Sequence, residues 1–367
     1  MLNASNLHMG GGVQVAASAI SEIAARRDLE VPVTILASST VERNLDMRLV
    51  RSAGNVCYET MDVRGLDPWN REARRKMDRF DSVFTIFGPL YRWSPPFRSI
   101  VGFAQPWIIY PHNECYARLP FPQRLKARLK FWIHAQFFKR ADVLVVELDH
   151  VKEGLVRELG IPPERIHVVR NCLSALYLDE GLWQPVTMPP VECDLRLGFL
   201  GRNYPHKNTA IFPEIAKTLE TAHGIRARFY VTFTEEEWRA CPQAFRDVCI
   251  NVGPLTVAQC PRFYKALDGV VFPSLLECFS ATPLETMAME VPLFASDRRF
   301  NVDVCGEHAH YFDPLAPETA AGRIAGVFGA GGGPDPQALR AAREHAIAFS
   351  SPKERAEKYL ALLTQGA

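Results

Sequence analysis

The sequence predicts an α/β protein built from two doubly wound parallel sheets. Three observations carry that expectation. The chain has 367 residues, more than a single core of ordinary size uses. Short apolar runs alternate with amphipathic stretches along its whole length, the pattern of a parallel sheet covered by helices. The series is interrupted once, near 181–191, and then starts again.

In the first series, the runs expected as strands are Val33–Ala37, Val56–Glu59, Val83–Phe87, Trp107–Tyr110, Val143–Val146 and Ile166–Val169. Apolar residues at helical spacing mark Val13–Arg27, Arg71–Phe80, Gln123–Arg140 and His150–Leu159. Gly181–Val191 (GLWQPVTMPPV) is Pro-bearing and uncharged, and reads as the linker. The second series predicts strands at Leu195–Leu200, Ala227–Thr232, Val248–Val252, Gly269–Phe272 and Pro292–Ala295. Its helices are expected near Asn208–Thr221, Glu235–Phe245, Val257–Leu267 and Pro283–Glu290. Gly329–Pro336 reads as a loop, and Ser351–Leu363 as a last helix with Pro352 in its first turn. The division expected is 1–183, with the C-terminal helix 351–367, against 184–350. Ligands of such sheets bind outside the carboxyl ends of the strands, here expected to face a cleft.

A hydrophobic content of 47% with 23% charged residues excludes wholesale disorder. The net charge of +1 argues against a general nucleic-acid binder. It hides an asymmetry, since residues 71–140 hold 14 basic and 4 acidic side chains. Nine cysteines without a CxxC pair argue against a disulfide framework or zinc knuckle and fit a reducing, cytoplasmic setting. The first residues lack a basic and apolar leader pattern, and no apolar run approaches the roughly 20 residues of a membrane span. A soluble or peripheral protein is expected. His308-x-His310 lacks a third ligand at useful spacing, so no metal site is expected.

Three segments could carry chemistry. Gly10-Gly11-Gly12 precedes the first helix, where exposed N–H groups favour an anion; Val15 breaks the dinucleotide fingerprint, and a plain tight turn is the alternative. Gly201-Arg202-Asn203-Tyr204-Pro205-His206-Lys207-Asn208 follows the strand LRLGFL and sets two cations at its carboxyl end. Solvated loop cations are the alternative there. Ser274–Glu285 runs from a strand through a loop into a helix. Thr282-x-x-Glu285 with Pro283 reads as a capping box, which leaves Glu277 unexplained in an apolar loop.

Taken together, strand–GRxxxxK–helix and the later Glu-x7-Glu block resemble the retaining family-four glycosyltransferases (glycosyl transferases group 1) of the GT-B fold. The resemblance covers essentially the whole chain, including GVVFPSLLECFSATPLETMAMEVPLFASD and a last helix that in such enzymes crosses back to the first domain. It implies two Rossmann-like domains, the first for the acceptor and the second for the donor. It further implies that Arg202 and Lys207 neutralise the donor's diphosphate, that Glu285 bonds the ribose, and that Glu277 touches the transferred sugar. The amides of Phe279, Ser280 and Ala281 would reach the phosphates, Gly11 and Gly12 would close over the donor, and His112 would lie near the sugar. The sequence departs from the family at Ser280 in place of Gly, at Thr286 in place of Ala, and at Arg170-Asn171-Cys172 in place of Pro-Asn-Gly.

The implied activity is metal-independent, retaining transfer of a hexose from a nucleotide-diphosphate sugar, GDP-mannose or a UDP-hexose, with no further cofactor. The implied acceptor is a glycan hydroxyl, lipid-linked and destined for surface polysaccharide such as lipopolysaccharide. The basic, aromatic stretch 120–140 and the cluster 71–79 can meet an anionic membrane, which would place the protein on its inner face. Aromatics packed inward beneath a solvated basic face are the alternative. Other functions open to the same scaffold are a sugar-nucleotide epimerase, a phosphorylase, or a non-catalytic nucleotide- or glycan-binding protein.

Overall fold

The computed structural model describes residues 1–29, 31–65 and 70–365. The chain forms two compact units, Met1–Cys172 with the C-terminal segment from Ser350, and Leu173–Phe349. The first crossing thus falls at 172/173, where composition suggested 183/184. Residues 181–191 are held on the second unit: Gln184 N–H donates to Ala258 O at 2.8 Å, and Tyr230 hydroxyl to Pro189 O at 2.9 Å.

The first unit is a seven-stranded sheet of β1 (Leu2–Ala4), β2 (Val33–Ala37), β3 (Val56–Thr60), β4 (Ser82–Thr85), β5 (Arg98–Gly102), β6 (Val143–Val146) and β7 (Ile166–Val168). All pairs are parallel, in the order β3-β2-β1-β4-β5-β6-β7, with Leu2 opposite both Ile35 and Phe84. Strand β6 is buried on both faces, which is why it reads as an unbroken apolar run (VLVV). Against it lies the helix Gly11–Ala25, which buries Val13, Ala16, Ala17, Ile20, Ile23 and Ala24 at the three- and four-residue spacing of one helical face.

One expected strand is corrected. Trp107–Tyr110 is not a strand: Pro106–Ile109 is a short helix, with Pro106, which lacks an N–H to give to a ladder, in its first turn. The strand is Arg98–Gly102, whose apolar core is brief and merges into the apolar residues that follow.

The last helix, Pro352–Thr364, belongs to the first unit. Ser351 caps it by accepting from Glu354 N–H at 3.1 Å. Tyr359 meets Phe84 edge-on at 4.7 Å, and Arg98 donates to Leu362 O at 2.7 Å. Arg355, 2% exposed, donates to Asn171 Oδ1 and to Ser18 Oγ, while Asn171 Nδ2 donates to Glu147 at 2.9 Å. Asn171, in the triplet that departs from the family pattern, is therefore the centre of a buried polar knot.

The second unit is a six-stranded parallel sheet of β8 (Leu195–Phe199), β9 (Ala227–Val231), β10 (Cys249–Asn251), β11 (Gly269–Phe272), β12 (Leu293–Ser296) and β13 (His310–Phe312). Its order is β10-β9-β8-β11-β12-β13, with Leu197 opposite Gly269 across the β8–β11 pair. Chain direction around the sheet reverses between β8 and β11. The loops after those two strands must leave in opposite directions, which opens a crevice at their carboxyl ends. The helix expected over Glu235–Phe245 is divided into Glu235–Arg239 and Gln243–Val248, because Pro242 interrupts the backbone bonding.

Candidate functional site

The β8 loop (200–208) and the β11 loop (273–281) share that switch point, and their backbones are joined: Leu275 N–H donates to His206 O at 2.8 Å. Asn208 takes a left-handed conformation (φ 56°) after the short 3-10 turn Pro205–Lys207, and its amide donates to Pro314 O at 2.8 Å. On the other loop, Ser296 Oγ donates to Ser274 O at 2.6 Å. Both loops are fixed by bonds to neighbouring strands and loops before any ligand is considered.

This framework brings Lys207 and Glu277 together, with Lys207 Nζ 2.6 Å from Glu277 Oε1. His206 Nε2 lies 3.9 Å from the same oxygen and stacks on Tyr204. Burial pulls His206 below its ordinary pKa; Glu277 opposes that shift and Lys207 adds to it. Lys207 also sits 5.1 Å over the Phe272 ring, so its charge is fixed on an apolar floor.

Arg202 is separated from that pair by its own partner. Its Nε donates to Glu237 Oε1 at 2.8 Å, and Asn203 N–H reaches the same oxygen at 3.2 Å. The other Glu237 oxygen completes a capping box with Thr234. Burial alone would raise the Glu237 carboxyl, but the bonds from Thr234 and Arg202 outweigh it and hold it low. Glu237 therefore ties the β8 loop to the helix after β9, with Arg202 half exposed at 50%.

The capping-box reading of Glu285 is corrected. The helix Thr282–Ala288 starts one residue earlier than that reading requires, with Ala281 preceding it and Glu285 N–H donating to Ala281 O at 2.9 Å. Thr282 is inside the first turn and cannot cap it. Glu285 instead accepts from the Tyr264 hydroxyl at 2.8 Å, with Tyr177 as a second hydroxyl partner. Burial raises the Glu285 carboxyl, and the two phenols pull against that shift. Burial pushes both phenols well above their ordinary range, so they stay protonated donors.

Between Glu277 and Glu285, the N–H groups of Phe279, Ser280 and Ala281 donate to no acceptor among the described residues. Backbone donors there are available to an anion.

The remaining expected residues lie in the first unit. Gly10 precedes the first helix with φ 74°, a conformation that favours glycine, and Gly11 and Gly12 form its first turn. A Cβ on Gly12 would come within 3.3 Å of Phe87, whereas Gly11 faces open space. His112 is exposed in the loop between the helices Pro106–Ile109 and Glu114–Arg118.

Sequence reasoning missed His206, Glu237, Tyr264 and Tyr177. His206 adjoins Lys207, and its position was a usable signal; the other three are joined to the site by tertiary contacts alone.

Two family models match the chain: Glycosyltransferase Family 4 over residues 10–174 and Glycosyl transferases group 1 over residues 194–329. A glycosyltransferase from Rickettsia africae is similar in structure, with TM-score 0.70, 14% identity and coverage of 100% of this chain and 98% of that one. HepE of Anabaena, solved with UDP-glucose, gives TM-score 0.69 at 14% identity, with 99% of each chain covered. Sucrose-phosphate synthase from Thermosynechococcus elongatus gives 0.64 at 15% identity, over 99% and 98%. No curated protein matches by sequence. The chain belongs to the family 4, group 1 glycosyltransferases, and its two parallel-sheet units have the GT-B fold.

Proposed function

We propose that this glycosyltransferase moves a hexose, with retention at the anomeric carbon, from a nucleotide-diphosphate sugar to a hydroxyl of a lipid-linked glycan in surface-polysaccharide synthesis. The observation that carries the reading is the Lys207–Glu277 pair at the switch point of the second sheet, 2.6 Å apart. A donor's diphosphate needs cations and N–H groups, and its sugar needs a hydroxyl acceptor. Lys207 supplies the first and Glu277 the second, from adjoining loops.

In this reading, Lys207, Arg202 and the amides of Phe279, Ser280 and Ala281 compensate the negative charge that grows on the departing diphosphate, without a divalent ion. Ser280 donates through its backbone, so its side chain in place of the family's glycine narrows the approach without removing the donor. Glu277 orients the transferred sugar, and Glu285, backed by Tyr264 and Tyr177, accepts from the ribose hydroxyls. The bond from the anomeric carbon to phosphate oxygen breaks, and the acceptor oxygen bonds to the same face of that carbon. The acceptor's proton passes to the departing phosphate. Gly11, Gly12 and His112 are the first unit's contribution to donor and sugar binding by the family resemblance.

UDP-glucose in the Anabaena enzyme supports a UDP-hexose donor here, with GDP-mannose as the alternative. The acceptor's lipid would be met at the inner face of a membrane, through the cationic segments 71–79 and 120–140. Among the described residues, no helix is long and apolar enough to cross a membrane.

The test is the stereochemistry of the product. With an α-linked donor sugar, proton NMR of the first product formed is expected to show an α-glycoside. A β-glycoside would overturn retention, and donor turnover without any acceptor would overturn transfer.

A further inference from the structure

The helix Phe121–Phe138 is apolar on two opposite sides. One side is accounted for: Ala135 and Phe138 are buried, and Phe131 stacks on Trp107 at 5.5 Å. The other is not. Phe121, Leu125, Leu129, Trp132 and Ile133 are 36–68% exposed. At about 100° per residue these five fall within one arc of roughly 120°. Arg124 and Arg128 border that arc on one edge, Lys126 and Lys130 on the other, and no Asp or Glu occurs from 119 to 141. None of the four cations is ion-paired to a carboxylate among the described residues; Arg124 and Lys130 lie over Phe121 and Phe131, and Arg128 over Tyr116.

The upstream basic helix behaves differently. There Lys76 pairs with Glu59 and Glu72, and nearby Arg92 pairs with Asp78, so part of its charge is spent inside the unit.

We infer that the outer face of the 121–138 helix is a docking surface for an anionic lipid bilayer, with the helix lying in the plane of the interface. The apolar arc enters the acyl boundary while the two cationic edges stay at the level of the headgroups. A protein partner would need carboxylates to match both edges of the stripe. A leaflet of anionic lipid matches both at once, whatever the rotation about its normal. An open cavity of about 430 Å³, lined by Tyr91, Leu129, Ile133 and His134 with Lys126 and Lys130, adjoins the same face. It offers an apolar recess with cations for part of a lipid. The inference deepens the lipid-linked-acceptor reading and assigns the membrane contact to one face of one helix.

Vesicle co-sedimentation tests it, using phosphatidylcholine alone and phosphatidylcholine with about one third phosphatidylglycerol. The protein is expected to bind the anionic vesicles, with a blue shift in emission that Trp132→Phe removes, and to release as salt rises. Leu125→Glu with Trp132→Glu, both at exposed positions, should weaken binding more than tenfold. Lys126→Glu with Lys130→Glu should weaken it by at least about 25-fold, taking roughly fivefold per cation lost. Absence of binding by the natural sequence, or unchanged binding by the Leu125/Trp132 variant, would overturn the proposal. So would a dimer that the same variant dissolves, coupled with indifference to vesicles, because the stripe would then join two copies. Nucleoside-diphosphate affinity of the Leu125/Trp132 variant is expected to be unchanged, which ties its loss of vesicle binding to the docking face and keeps this test separate from that of the donor site.

Discussion

Lys207 and Glu277 come from different loops of the second sheet, yet their charged atoms lie 2.6 Å apart, with Glu277 only 9% exposed. Such a pair holds a cation in place before a ligand arrives, and its desolvation makes each partner depend on the other. Lys207→Ala is expected to weaken nucleoside-diphosphate binding at least tenfold, the loss of one charge-assisted contact. The melting temperature should fall as well, since Glu277 is left buried without its cation, so binding is compared at a temperature where the variant is folded. Calorimetry and a thermal melt on the same variant check both halves.

Glu285 gives a pH prediction. Burial raises its carboxyl above the ordinary 4.5 in the folded chain, so between the unfolded and folded values the native state binds more protons and stability falls as pH rises. The penalty is absent below the unfolded value and complete above the folded one. Glu285→Gln should therefore melt higher than the natural protein at neutral pH, with the gap closing as the pH falls toward 4.5. Thermal melts across that range read it directly, and a gap constant with pH would refute it.

Glu237→Ala removes two things at once, the cap on Thr234 and the anchor of Arg202. The lost bonds from Thr234 N–H and hydroxyl dominate stability, at about 1 kcal/mol, because Arg202 is half exposed and its ion pair is screened. Donor affinity is expected to drop by severalfold through the freed Arg202. A double-mutant cycle with Arg202→Ala separates the two effects.

Arg355→Met is expected to destabilise the first unit by about 3 kcal/mol or more, since it strips partners from buried Asn171 and half-buried Ser18. Urea denaturation followed by the emission of Trp107, in that unit, would register it, with Trp107 isolated by substituting the other tryptophans.

What was legible in the sequence was local. Gly201–Asn208 and Ser274–Glu285 are each bounded by an apolar strand before and a helical pattern after, so their place at strand ends could be read from composition. Sheet order then does what no local pattern encodes: β8 and β11 are neighbours although about 70 residues separate them, and this brings Lys207 to Glu277. The capping box failed because Thr-x-x-Glu satisfies the pattern at any register, and the helix began at Thr282 itself. Tyr264 and Glu237 were invisible because their partners, Glu285 and Arg202, lie on other elements. The outer stripe of the 121–138 helix was hidden for a related reason. A helix apolar on two sides has little net periodicity, and only the structure tells the packed side from the bare one.

The most direct measurement is calorimetric titration of the purified protein with UDP, GDP, ADP and NAD, each with and without EDTA. Saturable, EDTA-insensitive binding of one nucleoside diphosphate is expected, which would also name the donor's base. Binding of NAD in preference to all three, or of none of the four, would contradict the assignment of Lys207, Glu277 and Glu285 to a donor site.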